Sequence, residues 1–119
     1  MKVLLGIDAS DFGYRALEET VDRASDAGDA LTVAVYGPPD ERAELQETVR
    51  ARLDERGLGA EVVEIDEEPG PALVQLADSG PYDRLVIGGG VKSPMGKIQL
   101  GSVAEFVLTN ATTSVTLVR

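Results

Sequence analysis

Short apolar runs alternate along this chain with longer amphipathic stretches, and that alternation leaves few folds open. Lys2 to Asp8 holds Val3, Leu4, Leu5 and Ile7, a run that reads as a buried strand covered on both faces. Ser10 or Asp11 then caps a helix through about Gly28, in which Leu17, Val21 and Ala24 recur at helical spacing and Gly28 supplies the stop. A second strand, Ala30 to Tyr36, ends at Gly37-Pro38-Pro39. It is followed by a charged, solvated helix over 40–56 that carries Leu45, Val49 and Leu53 and stops near Gly57-Leu58-Gly59. The region around Glu41, Arg42, Glu44 and Arg52 reads as exposed helix surface.

The third strand, Ala60 to Ile65, alternates as an edge strand does, and Glu68-Pro69-Gly70-Pro71 leads into a helix over Ala72 to Asp78. Gly80-Pro81 breaks that helix before a fourth strand, Arg84 to Ile87, which runs into Gly88-Gly89-Gly90. A loop over Val91 to Leu100, a helix from about Ser102 to Leu108 and a last strand, Ser114 to Val118, complete the pattern. Repeated strand–helix units at this spacing predict an α/β fold. It is a three-layer, Rossmann-like sandwich with a doubly wound, mostly parallel five-stranded sheet and right-handed crossovers. At 119 residues the whole chain, 1–119, suits one domain. A ligand on such a sheet sits beyond the carboxyl ends of the strands, where strand order reverses. Those ends carry Asp8, Val35-Tyr36 and Gly88-Gly89-Gly90.

Composition removes much familiar chemistry. With no cysteine and no histidine, the chain has no disulfide framework, thiol nucleophile, histidine base or Cys/His metal site. Its 21 acids against 11 bases give a net charge of -10, which repels nucleic acid and anionic membrane alike. The N-terminus turns acidic too soon for a secretory signal and no apolar run is long enough for a membrane span, so a cytoplasmic chain is expected. An acidic surface with few lysines also fits a high-salt cytoplasm, where salt screens the repulsion. The charge is uneven: 1–78 sum to -12 and 79–119 to +2, so an anion prefers the second segment.

That segment contains the most informative motif, Gly88 through Ser102. Its glycines let the backbone approach a ligand, and Gly101-Ser102 at the next helix start offers free amides and a hydroxyl to phosphate oxygens. Lys92 and Lys97 are the bases of an acid-free stretch; the plainer alternative is a flexible turn with two solvated lysines. It is not a Walker loop, because Ile98 follows Gly96-Lys97. Gly6 and Asp8-Ala9-Ser10 bring a second strand end towards a nucleoside. Asp8 either accepts ribose or base hydrogen bonds, helps to hold a phosphate-bridged divalent ion, or satisfies helix amides. Ser10 is a cap rather than a nucleophile, and Gly13 a helix-surface accommodation rather than a phosphate glycine. Tyr36 stacks on a base or makes a rim or dimer contact.

Val3-Leu4-Leu5-Gly6-Ile7-Asp8-Ala9-Ser10, Arg15-Ala16-Leu17, and above all Gly88 through Ser102 followed by Val103 to Leu108 and Val115 to Val118, resemble the universal stress protein family over essentially the whole length. The resemblance implies strand order 3-2-1-4-5, a homodimer and, in some members, ATP binding. Family ATP binders carry Gly, two residues, Gly, nine residues, Gly, Ser/Thr. With the final pair on Gly101-Ser102, the first glycine falls on Gly88 and the second on Val91, whose side chain obstructs phosphate approach unless Gly89, Gly90 and Gly96 reshape the loop.

By the same resemblance Asp8 is a nucleoside- or metal-facing carboxylate, Val35 an approximate adenine-wall position, and Gly101 and Ser102 phosphate contacts; Ala9, Gly88, Gly89, Gly90, Val91 and Lys92 complete the expected cofactor-binding set. Mg2+ accompanies ATP if ATP binds, and a degenerate site takes no cofactor. Dimerisation runs antiparallel through the edge strand 114–118, whose backbone groups are otherwise unpaired; the plainer alternative is a terminal loop folded back against that edge. The expected function is a regulatory adenine-nucleotide-binding module of the stress response with a protein partner. The alternatives are a nucleotide-independent dimer acting by protein contacts, and a slow ATP hydrolase for which Asp8 is the nearest base and lacks an activating partner.

Overall fold

In the computed structural model, which describes residues 1–89, 91, 92 and 98–119 (91, 92, 98 and 99 by backbone alone), the first apolar run forms strand β1, Lys2–Ile7. Side-chain alternation sends Val3, Leu5 and Ile7 to one face and Leu4 to the other, and all are buried. Helix α1 (Asp11–Ala27) begins at Ser10, whose hydroxyl accepts from the Gly13 amide, and ends at Gly28 with φ 72°, a left-handed stop suited to glycine. Strand β2 (Ala30–Val35) pairs parallel with β1, and α2 (Pro39–Glu55) lays Leu45, Val49 and Leu53 on the α1 side of the sheet. Strand β3 (Glu61–Glu64) is the edge beyond β2.

Helix α3 (Pro69–Ser79) starts earlier than the expected Ala72. Proline needs no hydrogen-bond partner in a first turn, so Pro69 and Pro71 are part of the helix rather than its approach. Strand β4 (Arg84–Gly88) lies on the other side of β1. The expected loop Val91 to Leu100 instead contains a two-stranded antiparallel ribbon, β5 (Val91–Lys92) with β6 (Ile98–Gln99), two residues each and too short to show periodicity. Helix α4 (Ser102–Asn110) returns the chain to β7 (Ser114–Val118), parallel to β4. The Asp78 carboxylate accepts from the Thr112 and Thr113 amides and the Thr113 hydroxyl, which fixes the turn before β7 and holds the carboxyl below its usual range.

The main sheet has the order β3-β2-β1-β4-β7, which is the expected 3-2-1-4-5 once the small ribbon is set aside. One apolar cluster fills the space under α1 and α2, the other that under α3 and α4, so the fold is a three-layer, Rossmann-like α/β/α sandwich. Among the described residues no helix is long and apolar enough to cross a membrane.

One expectation for α2 is overturned. Arg42 is buried rather than exposed: Nε donates to Glu64 Oε1 at 2.9 Å, Nη2 to Asp66 Oδ1 at 3.0 Å, and Nη1 to the carbonyls of Gly37 and Ile65, both at 3.2 Å. A guanidinium tolerates burial when its donor fork is filled in this way.

Candidate functional site

Strand order reverses beside β1, and the carboxyl ends of β1, β2 and β4 open there into a cleft of about 230 Å³ closed on one side by the start of α4. Asp8, the residue after β1, is half-buried in it. Its Oδ1 receives the Ser10 hydroxyl at 2.5 Å and the Ser10 amide at 3.2 Å, while Ser10 Oγ accepts from the Gly13 amide at 3.1 Å. Ser10 is therefore committed as cap and as clamp on Asp8, which leaves no role for it as a nucleophile.

Gly13 is buried because α1 presses on the backbone leaving β1: a Cβ there would lie 2.2 Å from the Asp8 carbonyl oxygen. Gly88 meets the same helix from β4, its would-be Cβ 2.4 Å from the Phe12 carbonyl oxygen. These two contacts set the distance between Asp8 and the β4 end of the cleft. Gly6 has a different task from the nucleoside approach expected of it, since its bare face receives Leu73 of α3.

The two helix starts in this region differ. α1 has a side-chain cap; α4 has none, its N-cap Gly101 lacks a side chain, and its first intrahelical bond runs from the Glu105 amide to the Gly101 carbonyl at 2.9 Å. The amides of Ser102, Val103 and Ala104 precede that bond, and all three residues line the cleft. Among the described residues nothing lies within 4 Å of where a Gly101 side chain would begin. The positive end of a helix dipole, with donors that no described residue takes, thus borders the same small space as Asp8, an arrangement that takes an acceptor-rich group at one end and a donor at the other.

Tyr36 supplies the remaining wall. It is 7% exposed, and burial together with the nearby charge of Asp8 drives its hydroxyl well above the usual phenol range, so it is a neutral donor. Val35 points the other way, fully buried in the cluster under α1 and α2, and Ala9 is exposed outside the cleft lining. Gly89 lines the cleft with Leu117 against its bare face. Gly90 and Lys97 lie outside the described residues, as do the side chains of Val91 and Lys92. The described structure therefore brings Asp8, Tyr36, Gly88, Gly89, Gly101 and Ser102 to one cleft and adds Val103 and Ala104.

The family model of the universal stress proteins matches residues 1–119. The chain belongs to the universal stress protein family. A universal stress protein solved in complex with cAMP is 31% identical, with a TM-score of 0.76, and the match covers 100% of this chain and 96% of that one. A universal stress protein from Archaeoglobus fulgidus is 25% identical with a TM-score of 0.80, covering 100% and 98%. Another structure from Archaeoglobus fulgidus, in complex with dAMP, shares the fold at 22% identity and a TM-score of 0.71, covering 100% and 98%. No curated protein matches the chain.

Within this universal stress protein, Ser10 joins helix capping to the posture of Asp8. Ser10→Ala is expected to cost about 1 kcal/mol, the usual worth of a cap, and to lower the melting temperature by roughly 4 °C or more for a domain of this size. Thermal melting by circular dichroism measures it, and an unchanged melt would deny the cap its weight.

Proposed function

We propose that the cleft binds an adenine nucleotide and that the protein acts as a regulatory nucleotide-binding module of the stress response. The observation that carries this reading is the uncapped start of α4 facing Asp8 across one cleft. The amides of Ser102 to Ala104 and the Ser102 hydroxyl hold a phosphate, Asp8 accepts from ribose or base donors, and the Tyr36 ring lies against the base. The cAMP and dAMP found with two relatives support the same ligand class.

No group of three acids that could hold a metal ion occurs among the described residues. Mg2+ would fit as an ion bridged between phosphate oxygens and Asp8, the one acid lining the cleft among those residues. The edge position of β7 supports a homodimer by antiparallel pairing of Ser114–Val118, which would satisfy both open edges, and a protein partner would read the liganded dimer. The charge of -10 supports a salt-rich cytoplasm as the working environment.

Ser102→Pro tests the phosphate assignment. Proline suits the first position of a helix, and Gly101 before it already has the extended backbone that proline requires, φ -73° and ψ 166°. The variant removes one amide donor and one hydroxyl. Calorimetric titration in concentrated KCl is expected to show saturable binding of AMP and cAMP by the parent, with AMP affinity lowered about tenfold or more in the variant and adenosine affinity little changed. Absence of saturable binding of AMP, cAMP or ATP with Mg2+ would overturn the reading in favour of a nucleotide-independent dimer, whose mass a native spectrum would report.

A further inference from the structure

A second and larger cleft, about 390 Å³, lies on the α1 side of the sheet over β4 and β7. The topology creates it: β7 is the outer strand, α1 packs mainly on β1 and β4, and α4 covers the opposite face. Its apolar surface comes from Val86 of β4 and Val118 of β7, with Ala24 on the helix side.

Among these residues sits Arg84. It occupies the first position of β4, two registers from Thr116 on β7, and its Nη1 donates to Thr116 Oγ1 at 2.5 Å. Its Nε is sealed from solvent and has no hydrogen-bond partner, the single such side-chain atom among the described residues. Leaving a buried guanidinium donor unmatched is costly, and a strand facing apolar neighbours has no packing need for arginine. Thr20 of α1 faces the same cleft and is 6% exposed. Thr48 and Thr109 donate to carbonyls one turn earlier in their helices, whereas Thr20 makes no side-chain hydrogen bond among the described residues.

The other charges of the cleft do not answer Arg84. Asp29 is taken by Arg23 Nε at 3.2 Å and by the N-terminal amine at 3.6 Å. Glu19 is exposed on α1 at the cleft and forms no ion pair among the described residues. What remains is donor chemistry: the Arg84 guanidinium, which lines the cleft, and the hydroxyl hydrogens of Thr20 and Thr116, with aliphatic side chains beside them.

We propose that this cleft is a second ligand site, separate from the nucleotide cleft, which takes a small monocarboxylate with a short aliphatic body. Arg84 and the threonine hydroxyls hold the carboxylate, and Val86 and Val118 cover the body. Carboxylate oxygens match a guanidinium and hydroxyl donors, and a volume of about 390 Å³ suits a ligand of that size.

Hexanoate is the probe, with hexanamide as its uncharged counterpart and acetate as its truncated one, followed by the amide NMR signals of Ala24, Thr116 and Val118. Saturable shifts at these positions are expected, with hexanoate at least about tenfold tighter than hexanamide and tighter than acetate. Arg84→Met should abolish the shifts and change the melt little, because the one Nη1 bond lost to Thr116 is offset by removal of the unmatched Nε. Thr20→Val should weaken binding independently, and Glu19→Gln should strengthen it by removing a like charge. The proposal is overturned by equal binding of acid and amide, by binding that survives both Arg84→Met and Thr20→Val, or by shifts confined to Asp8 and Ser102. It is overturned also by shifts that follow protein concentration rather than hexanoate, which would make a second copy of the chain the occupant.

Discussion

Replacing Gly88 by alanine is expected to destabilise the fold by about 3 kcal/mol, and Gly13→Ala by at least as much. The single added carbon would lie 2.4 Å from the Phe12 carbonyl oxygen in the first case and 2.2 Å from the Asp8 carbonyl oxygen in the second. Both obstacles are backbone, so no rotamer change relieves them; the first turn of α1 has to lift from β1 and β4. At the usual conversion for domains of this size the melting temperature falls by roughly 12 °C or more.

Two other glycines serve as controls. Gly101→Ala places its carbon at an ordinary φ with no described residue within 4 Å and should stay within about 0.5 kcal/mol of the parent. Gly28→Ala has room as well but must adopt φ 72°, which costs about 1 kcal/mol. Urea unfolding of the four variants measures the series, and equal losses at Gly88 and Gly101 would remove close approach as the explanation. Because α1 also carries Ser10, the same displacement should loosen the clamp on Asp8, so nucleotide affinity should fall with stability at Gly13 and Gly88 and remain at Gly28.

These glycines mark how far the sequence can be read. The strands and helices were legible because Val3-Leu4-Leu5 is a short unbroken apolar run, as a strand covered on both faces gives, and Leu17-Val21-Ala24 and Leu45-Val49-Leu53 repeat at helical spacing. Close approach has no period: nothing local distinguishes Gly13, pressed on a carbonyl, from a glycine merely tolerated on a helix surface. The parity of β2 was half legible. Alternation dictates that residues 35 and 36 face opposite sides, but with both faces covered, β2 alone does not say which one looks into the cleft. Arg42 did leave a signal. It stands three residues before Leu45 and seven before Val49, on the same helical stripe, and its charge alone made it look like surface.

Arg42→Met is the second large effect expected. Methionine fills much of the same space and supplies none of the four hydrogen bonds, so the Ile65 carbonyl loses a donor where water has little access and the Gly37 carbonyl loses one in a part-buried position. A loss of about 2–3 kcal/mol follows from two unmatched carbonyls and the two carboxylate contacts together. The carboxylates should account for the smaller part, since the Glu64 side chain is 42% exposed and that of Asp66 86% exposed, and both return to water when released. Glu64→Gln and Asp66→Asn are therefore expected to cost under about 1 kcal/mol each. Arg42→Lys should rescue little, because one ammonium cannot reach two carbonyls and two carboxylates lying in different directions.

Salt separates the two contributions. Concentrated KCl screens the exposed carboxylate contacts but not the buried carbonyl bonds, so most of the Arg42→Met loss should persist there, whereas a loss that vanished with salt would make the residue a surface ion pair and nothing more. Gly37 immediately follows Tyr36, so releasing its carbonyl should also disturb the wall of the nucleotide cleft. Lowered AMP affinity in Arg42→Met, without the selective loss of phosphate recognition expected of Ser102→Pro, would place α2 among the elements that hold the base side of the site.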